Sequence, residues 1–135
     1  GMEEIRFSNS QFGEILSDVC ARGNEEACGL VAGLHGVAIK IYPITNCLHS
    51  RTRYLMDGNE QVRAMLDIEQ NGLELIGIYH SHLKGKGEPS EIDKQECTYP
   101  DVVYLIMDMS DNTQSMRGFR LIECSWVEIP VVIMD

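Results

Sequence analysis

The chain has 135 residues, the length of one compact domain, and a core of useful size can form at this length without disulfides. Eleven basic residues against twenty-one acidic ones give a net charge of −10, which argues against a basic face that binds the phosphates of nucleic acid. No apolar run approaches the roughly 18–20 residues needed to cross a bilayer, so no membrane partner is expected.

The chain is expected to form a single domain over residues 2–135, because it contains no internal repeat or low-complexity tract. Gly1 before Met2 is typical of the remnant of a cleaved tag and is left out of the fold prediction. The charged start lacks the apolar segment of a secretion signal, which predicts a cytoplasmic protein. Five cysteines without a CxxC pair fit a reducing compartment, and most of them are expected to be small buried hydrophobic residues.

The pattern of apolar residues predicts helices interspersed among strands. In chain order, these are a helix over residues 10–22, strands over 27–34 and 37–44 joined by a turn at 35–36, a polar loop or edge over 46–54, a helix over 59–71, a strand over 73–80, a loop over 84–88, a helix over 89–98, a strand over 102–109, a turn at 111–112, and strands over 116–122 and 125–133. In the first helix Ile15, Leu16 and Val19 fall on one face, and His35-Gly36 suits a tight hairpin turn. The order predicts an α/β class of the mixed α+β type, with a central, mostly antiparallel or mixed sheet flanked by helices.

Two histidines, His80 and His82, stand where the predicted central strand ends. On an extended chain residues i and i+2 point to the same side, and their side chains start roughly 6–7 Å apart. Two imidazoles at that separation can converge on one ion, with each nitrogen about 2.0–2.1 Å from zinc. The pair therefore predicts part of a metal site.

A third ligand is expected from another part of the chain. Asp93 lies one turn into the helix that Pro89 and Ser90 begin, so its carboxylate is rigidly placed. Two histidines and one carboxylate leave a fourth position for water, which is the pattern of catalytic zinc, whereas structural sites have four protein ligands.

A hydrolytic zinc site also needs a base that takes a proton from water. Glu25 and Glu26 lie directly before the strand predicted over residues 27–34. Because neighbours on an extended chain face opposite ways, at most one of the two is expected to reach the site.

Each piece also has an ordinary structural explanation. Paired histidines occur on surfaces, an acidic pair before a strand is usually a solvated edge, and Ser90 with Asp93 makes a good helix N-cap. The joint pattern at fixed spacing is what favours a site.

That joint pattern resembles a known family. His80-Ser81-His82, seven further residues and Ser90-x-x-Asp93 resemble the signature of the JAMM (MPN+) metallopeptidases, and Glu26-Ala27-Cys28-Gly29 resembles the upstream segment of that family. The similarity extends over nearly the whole chain and is greatest to the small, single-domain prokaryotic members. It implies an MPN-like architecture, which is related to that of the cytidine deaminases.

The resemblance also implies a chemistry. His80, His82 and Asp93 correspond to the ligands of one Zn²⁺ that carries a bound water, Glu26 to the general acid/base, and Ser90 to the residue that hydrogen-bonds the water and supports the oxyanion. The implied reaction is zinc-dependent hydrolysis of a peptide or isopeptide bond after the C-terminal Gly-Gly of a ubiquitin-like or sulfur-carrier protein. The choice between the two bond types, the natural substrate and the oligomeric state stay open.

Two segments bear on substrate choice. Leu83 stands where the family usually has proline, and the following loop, residues 84–88, contains two lysines that can attract an acidic or carboxylate-bearing substrate. Ser50, Arg51 and Arg53 lie before Tyr54-Leu55-Met56-Asp57, and residues 50–57 correspond to a segment that runs near the substrate groove in related proteins.

Three other functions are open to test. A non-catalytic scaffold would lack some of the ligands, all of which are present here. A zinc deaminase of nucleosides would need a Pro-Cys-x-x-Cys motif, which the sequence does not contain. A cysteine protease that uses Cys28 is disfavoured, because nothing in the sequence places a histidine beside this residue and a thiol in an apolar strand is poorly ionised.

Overall fold

The computed structural model describes residues 3–84, 87–90, 93, 99, 101–110 and 114–134. In these residues one sheet contains eight strands: β1 (Ile5–Ser8), β2 (Cys28–Leu34), β3 (Val37–Ile44), β4 (Glu74–His82), β5 (Val103–Asp108), β6 (Ser115–Ile122), β7 (Ser125–Ile129) and β8 (Val131–Met134). Two helices accompany it: α1 (Asn9–Arg22) and α2 (Gly58–Gln70). The strand order is β7-β6-β5-β4-β2-β3-β1-β8, with parallel and antiparallel neighbours. The predicted class, a mixed sheet flanked by helices, is confirmed.

Helix α1 begins at a capping box and covers one face of the sheet. Ser8 Oγ accepts from Gln11 N at 3.1 Å, and the Gln11 side chain accepts from Ser8 N at 2.8 Å, so two otherwise orphaned amides are satisfied. Ile15 and Val19 are buried against the sheet, as their spacing predicts. Burial of such apolar side chains, rather than helix propensity, provides most of the stabilisation of a helix of this length.

The two faces of the sheet have separate apolar cores. The core on the α1 side contains Ile5, Phe7, Ile15, Val19, Ala27, Val31, Ala38, Ile41, Ile76, Tyr79, Val103, Leu105, Met107 and Ile129. The core on the α2 side contains Cys28, Leu30, Ala32, Ile44, Ala64, Ile68, Ile78, Val102 and Tyr104. Because side chains alternate along a strand, the end of β4 directs Tyr79 towards α1 and His80 towards the opposite face.

The connection from β4 to β5 places the site. These two strands are parallel neighbours, with His80 opposite Ile106 and His82 opposite Asp108. Parallel neighbours need a crossover that returns the chain to the starting end of the sheet. The crossover leaves β4 directly after His82 and contains Ser90 and Asp93, and the Asp93 carboxylate lies beside the two histidines at the end of the strand.

The prediction of one continuous strand over residues 125–133 is wrong. Pro130 divides it into β7 and β8, because proline has no amide hydrogen for a ladder. The Pro130 carbonyl accepts from Ile5 N at 3.0 Å, and β8 pairs in parallel with β1. Strand β1 is short and was not predicted from the apolar pattern. Since β7 and β8 are the two ends of the strand order and one residue separates them, the sheet curls until its edges approach.

The remaining predictions have mixed outcomes. The hairpin turn is confirmed, with φ of 52° at His35 and 76° at Gly36. Strand β4 extends two residues beyond the predicted end, to His82. The expectation that most cysteines are buried is wrong for the described ones: Cys28 is buried, whereas Cys20, Cys47 and Cys124 are exposed. Residues 85–86 of the predicted loop, most of the helix over 89–98 and the turn at 111–112 lie outside the described residues.

The glycine of the Cys28-Gly29 pair is required by packing. Gly29 lies directly opposite Tyr79 in the β2–β4 ladder, and a Cβ at Gly29 would overlap the Tyr79 ring. The ring cannot move aside easily, because it is fully buried and its hydroxyl donates to Asp18 Oδ2 at 2.7 Å.

We expect Gly29→Ala to lower the free energy of unfolding by about 1–3 kcal/mol, the usual cost of overpacking a core. The matched control is Gly13→Ala in α1, where an added Cβ meets no atom within 4 Å. That substitution should raise the free energy of unfolding by about 1 kcal/mol through helix propensity. Urea titrations of both variants check the pair, and unchanged stability of Gly29→Ala would contradict the overlap.

Candidate active site

His80 and His82 lie on the same side of β4, as their spacing predicts. Their Nε2 atoms are 3.0 Å apart, and the ring centroids are 4.8 Å apart. His80 is 1% exposed and His82 is partly exposed, so the pair spans the boundary between the core and a cavity. Two ring nitrogens this close need a shared proton or a shared cation.

Asp93 meets both histidines from the crossover. Its Oδ1 lies 3.6 Å from His80 Nε2, and its Oδ2 lies 3.7 Å from His82 Nε2. Ser90 N donates to Asp93 Oδ2 at 2.8 Å, and Asp93 N donates to Ser90 Oγ at 3.1 Å. The predicted capping pair is therefore formed, and it orients the carboxylate towards the histidines.

The carboxylate is held in its ionised form. Burial by itself raises the pKa of Asp93, but the contacts with His80 and His82 outweigh burial, so the pKa lies well below its ordinary value. An ionised carboxylate is the form that ligates a metal.

The three side chains fit a zinc ion. Their ligand atoms all lie within 4.8 Å of one another. Ligands about 2.0–2.1 Å from a tetrahedral zinc are roughly 3.3–3.5 Å apart. The two Nε2 atoms are 3.0 Å apart, and each lies 3.6 or 3.7 Å from one oxygen of the Asp93 carboxylate, Oδ1 for His80 and Oδ2 for His82, so each separation is close to that distance. Two imidazoles and one carboxylate are also a donor set that suits zinc.

Glu26 is the acidic residue that reaches the site. It is 5% exposed and lines a cavity of about 420 Å³ together with His82, Ser90 and Asp93. Glu25 points elsewhere: its Oε2 lies 3.0 Å from Nδ1 of the exposed His49. The segment from Glu25 to Ala27 is bonded to β4 through Ser81, whose Oγ accepts from Ala27 N at 2.8 Å.

The outer wall of the cavity comes from the loop between β3 and α2. Arg51, Thr52, Arg53 and Tyr54 line it, and Leu83 and Lys84 close it after β4. The Tyr54 ring stacks on His80, with centroids 4.7 Å apart and planes at 27°. The family resemblance implies only that this segment runs near a groove, and the stacking of Tyr54 on His80 adds a direct contact with the site.

Two residues that hold the site in place through hydrogen bonds were not predicted from the sequence. Ser81 is the spacer of His80-Ser81-His82, and Asn46 is a buried amide inside a loop predicted to be polar. A polar residue in a polar loop has no pattern that distinguishes a buried anchor from a solvated side chain. The only signal for Ser81 was its position between the two histidines.

Cys28 does not suit nucleophilic catalysis. The thiol is fully buried in β2, and desolvation raises its pKa to about 12. A thiol that stays protonated at neutral pH is a poor nucleophile, which argues against the cysteine-protease alternative.

A mixed sheet whose central strand ends in a His-x-His pair, faced by a carboxylate and a buried glutamate, defines a hydrolase with a candidate single-metal site. The family described as "Prokaryotic homologs of the JAB domain" matches residues 8–122 of the chain. The chain therefore belongs to this family, the small prokaryotic branch of the JAMM (MPN+) zinc metallopeptidases.

Curated relatives agree with the family. The chain is 31% identical to the CysO-cysteine peptidase of Mycobacterium tuberculosis over 114 residues, which cover 82% of this chain and 78% of the relative. It is 36% identical to the "Probable TtuB-protein conjugate cleaving protease" of Thermus thermophilus over 109 residues, which cover 80% of this chain and 70% of that protein. The chain is an enzyme of the same class, one that hydrolyses peptide or isopeptide bonds.

Solved structures agree with the fold. Protein DSY2949 of Desulfitobacterium hafniense superposes with a TM-score of 0.87 at 26% identity, over 97% of this chain and 93% of that one. A structure described as "JAMM: A Metalloprotease-like Zinc Site in the Proteasome and Signalosome" gives 0.63 at 14% identity, over 98% and 99% of the two chains. The predicted MPN-like architecture is confirmed. No helix among the described residues combines the length and the apolar character needed to cross a membrane.

Proposed function

We propose that this enzyme cleaves the bond after the C-terminal Gly-Gly of a ubiquitin-like or sulfur-carrier protein, with one Zn²⁺ held by His80, His82 and Asp93. The observation that supports it best is the buried Glu26, which lines the same cavity as His82, Ser90 and Asp93. A base placed beside a three-ligand site with an open fourth position is the arrangement that hydrolysis requires.

The bound ion would supply Lewis acidity, lowering the pKa of a water and polarising the scissile carbonyl. Glu26 takes the proton of the attacking water and later delivers it to the leaving amine. Ser90 Oγ accepts from Asp93 N, and its own hydroxyl hydrogen is left to donate to the oxygen that gains charge. Asp93 keeps its charge throughout and orients the two histidines.

A Gly-Gly tail suits the cavity for steric reasons. The cavity of about 420 Å³ lies between residues 51–54 of the loop and the residues after β4, and an extended segment without side chains can enter it. The names of the two relatives described above refer to a CysO-cysteine substrate and to TtuB-protein conjugates, which supports a protein conjugate of this kind as the substrate.

The test is a cleavage panel. Zinc-loaded protein is incubated with small ubiquitin-like and sulfur-carrier proteins extended beyond Gly-Gly, either by a linear peptide or by an isopeptide-linked lysine, and the products are identified by mass spectrometry. The control carriers have Gly-Gly replaced by Ala-Ala. Cleavage after Gly-Gly alone supports the proposal, whereas no cleavage of any carrier by protein with confirmed zinc would contradict it.

The scaffold alternative gains no support. Glu26, His82 and Asp93 line one cavity, and a ligand atom of His80 lies within 4.8 Å of those of His82 and Asp93, whereas a scaffold needs none of them there. We also propose a cytoplasmic location and no nucleic-acid partner, because the four described cysteines are free thiols and the net charge is −10.

The cavity has a basic rim, which we define as Arg51, Arg53 and Lys84. Three cations at one opening of a chain with net charge −10 favour an acidic or carboxylate-bearing substrate. We expect Arg51→Gln combined with Lys84→Gln to raise KM for a substrate with a free C-terminal carboxylate about five-fold, since each exposed pair contributes about 0.2–1 kcal/mol.

Steady-state kinetics on paired carboxylate and carboxamide substrates check the role of the rim. The effect should shrink at high salt, where exposed charges are screened. Arg63→Gln on α2, which does not line this cavity, is the matched control. An equal rise of KM for both substrates would show that the rim does not bind the carboxylate.

A further inference from the structure

Asn46, in the loop between β3 and α2, is fully buried and uses its whole carboxamide. Its Nδ2 donates to the carbonyl of Glu26 at 3.0 Å and to the carbonyl of Arg53 at 3.1 Å. Its Oδ1 accepts from the amides of Leu48 and Leu55, both at 3.1 Å. Two donors and two acceptors are satisfied at once, which only an amide of this length can do.

The same loop also holds the other side of the Glu26 peptide. Glu26 N donates to the carbonyl of Ser50 at 2.8 Å, so both backbone groups of Glu26 are bonded to the loop or to its anchor. The loop then reaches the metal ligands, because Tyr54 stacks on His80. One side chain therefore connects the proposed base with the wall of the cavity.

We propose that Asn46 is a positioning residue for the hydrolytic reaction: it holds the Glu26 peptide and residues 48–55 in one arrangement, so that the base and the cavity wall keep a constant distance. The inference rests on the proposed role of Glu26. Asn46 touches no reacting atom and acts through Glu26 and the loop. If Asn46 stabilised only the loop, its hydrogen bond to the Glu26 carbonyl would not be required.

Asn46→Asp is the informative substitution. It keeps the size and the acceptors but removes both donors and sets an anionic oxygen against the carbonyls of Glu26 and Arg53. The loop contains two trypsin sites, Arg51 and Arg53. Detachment of the loop from the rest of the fold can therefore be measured by trypsin cleavage, without assaying the activity of the protein itself. We expect trypsin to cut the folded variant after these arginines at least about ten-fold faster than wild type, because local opening governs such cleavage.

The matched control is Asn71→Asp, since Asn71 Nδ2 also donates to a backbone carbonyl, that of Asp67, at 2.7 Å, but at the exposed end of α2. It should leave nicking after Arg51 and Arg53 unchanged. If Asn46→Asp does not fold, hydrogen exchange of wild type decides: the amides of Leu48 and Leu55 should be protected. Equal nicking of wild type and Asn46→Asp, or unprotected amides, would overturn the inference.

A double-mutant cycle separates positioning from general stability. Asn46→Asp should lower kcat by about 10²-fold, the loss expected for a misplaced catalytic group, while the zinc content stays unchanged because all three proposed ligands belong to β4 and the crossover and none to the loop. In a Glu26→Gln background the same substitution should cost little, since the base is already absent. An equal loss in both backgrounds would contradict a role through Glu26. Wild type that cleaves no carrier would contradict the proposed function, and the nicking result would still decide whether Asn46 holds the loop.

Discussion

Glu26→Gln is expected to lower kcat by about 10²–10⁴-fold, with little change in KM or zinc content. The amide has the shape of the carboxylate but cannot accept the proton of the attacking water, and general-base catalysis contributes an effect of this size. The side chain is 5% exposed, so bulk water cannot easily take over its role. Single-turnover kinetics with excess zinc-loaded enzyme measure the loss.

Glu25→Gln is the matched control for this prediction. It makes the same change one residue earlier, at a side chain whose partner is the exposed His49. We expect kcat to stay within about two-fold of wild type, because the substitution leaves the cavity unaltered. If both variants lost activity equally, the effect would come from the charge of the segment and not from a base at Glu26.

Asp93→Asn is expected to cost most of the bound zinc. The substitution removes the anionic ligand and leaves His80 and His82 with their Nε2 atoms 3.0 Å apart. Losing one of three protein ligands should weaken zinc binding by at least about 10²-fold, since even the outer partners of such ligands contribute 10–100-fold. Metal analysis after dialysis should find one zinc per wild-type chain and nearly none in the variant.

Thermal unfolding provides a second measure of the same change. Zinc that binds only the folded state raises Tm, and this increase should vanish in Asp93→Asn. Asp67→Asn is the control, since Asp67 is a partly exposed carboxylate that pairs with Lys40 Nζ at 2.8 Å and lies outside the site. Full zinc occupancy in Asp93→Asn would show that Asp93 is not a ligand.

Local patterns were enough for much of the fold. The apolar spacing of Ile15 and Val19 and the cap at Ser8 determine α1, and both are properties of neighbouring residues. The side-by-side placement of His80 and His82 follows from the two-residue period of a strand, which holds in any sheet. Strand β1 was not predicted because it has only four residues. Its extended conformation depends on pairing with β8 and β3, which the local sequence does not reveal.

The chemistry of the site can be read from the order of residues: which donors are present, how they are spaced along the chain, and the family that this spacing indicates. Which of these groups come into contact depends on the fold. The parallel crossover brings Asp93 to within 3.6 and 3.7 Å of the histidine nitrogens, and it is the loop around Asn46 that places Tyr54 over His80. These contacts join separate segments of the chain, so they depend on how the strands of the whole sheet are ordered and paired rather than on local propensity.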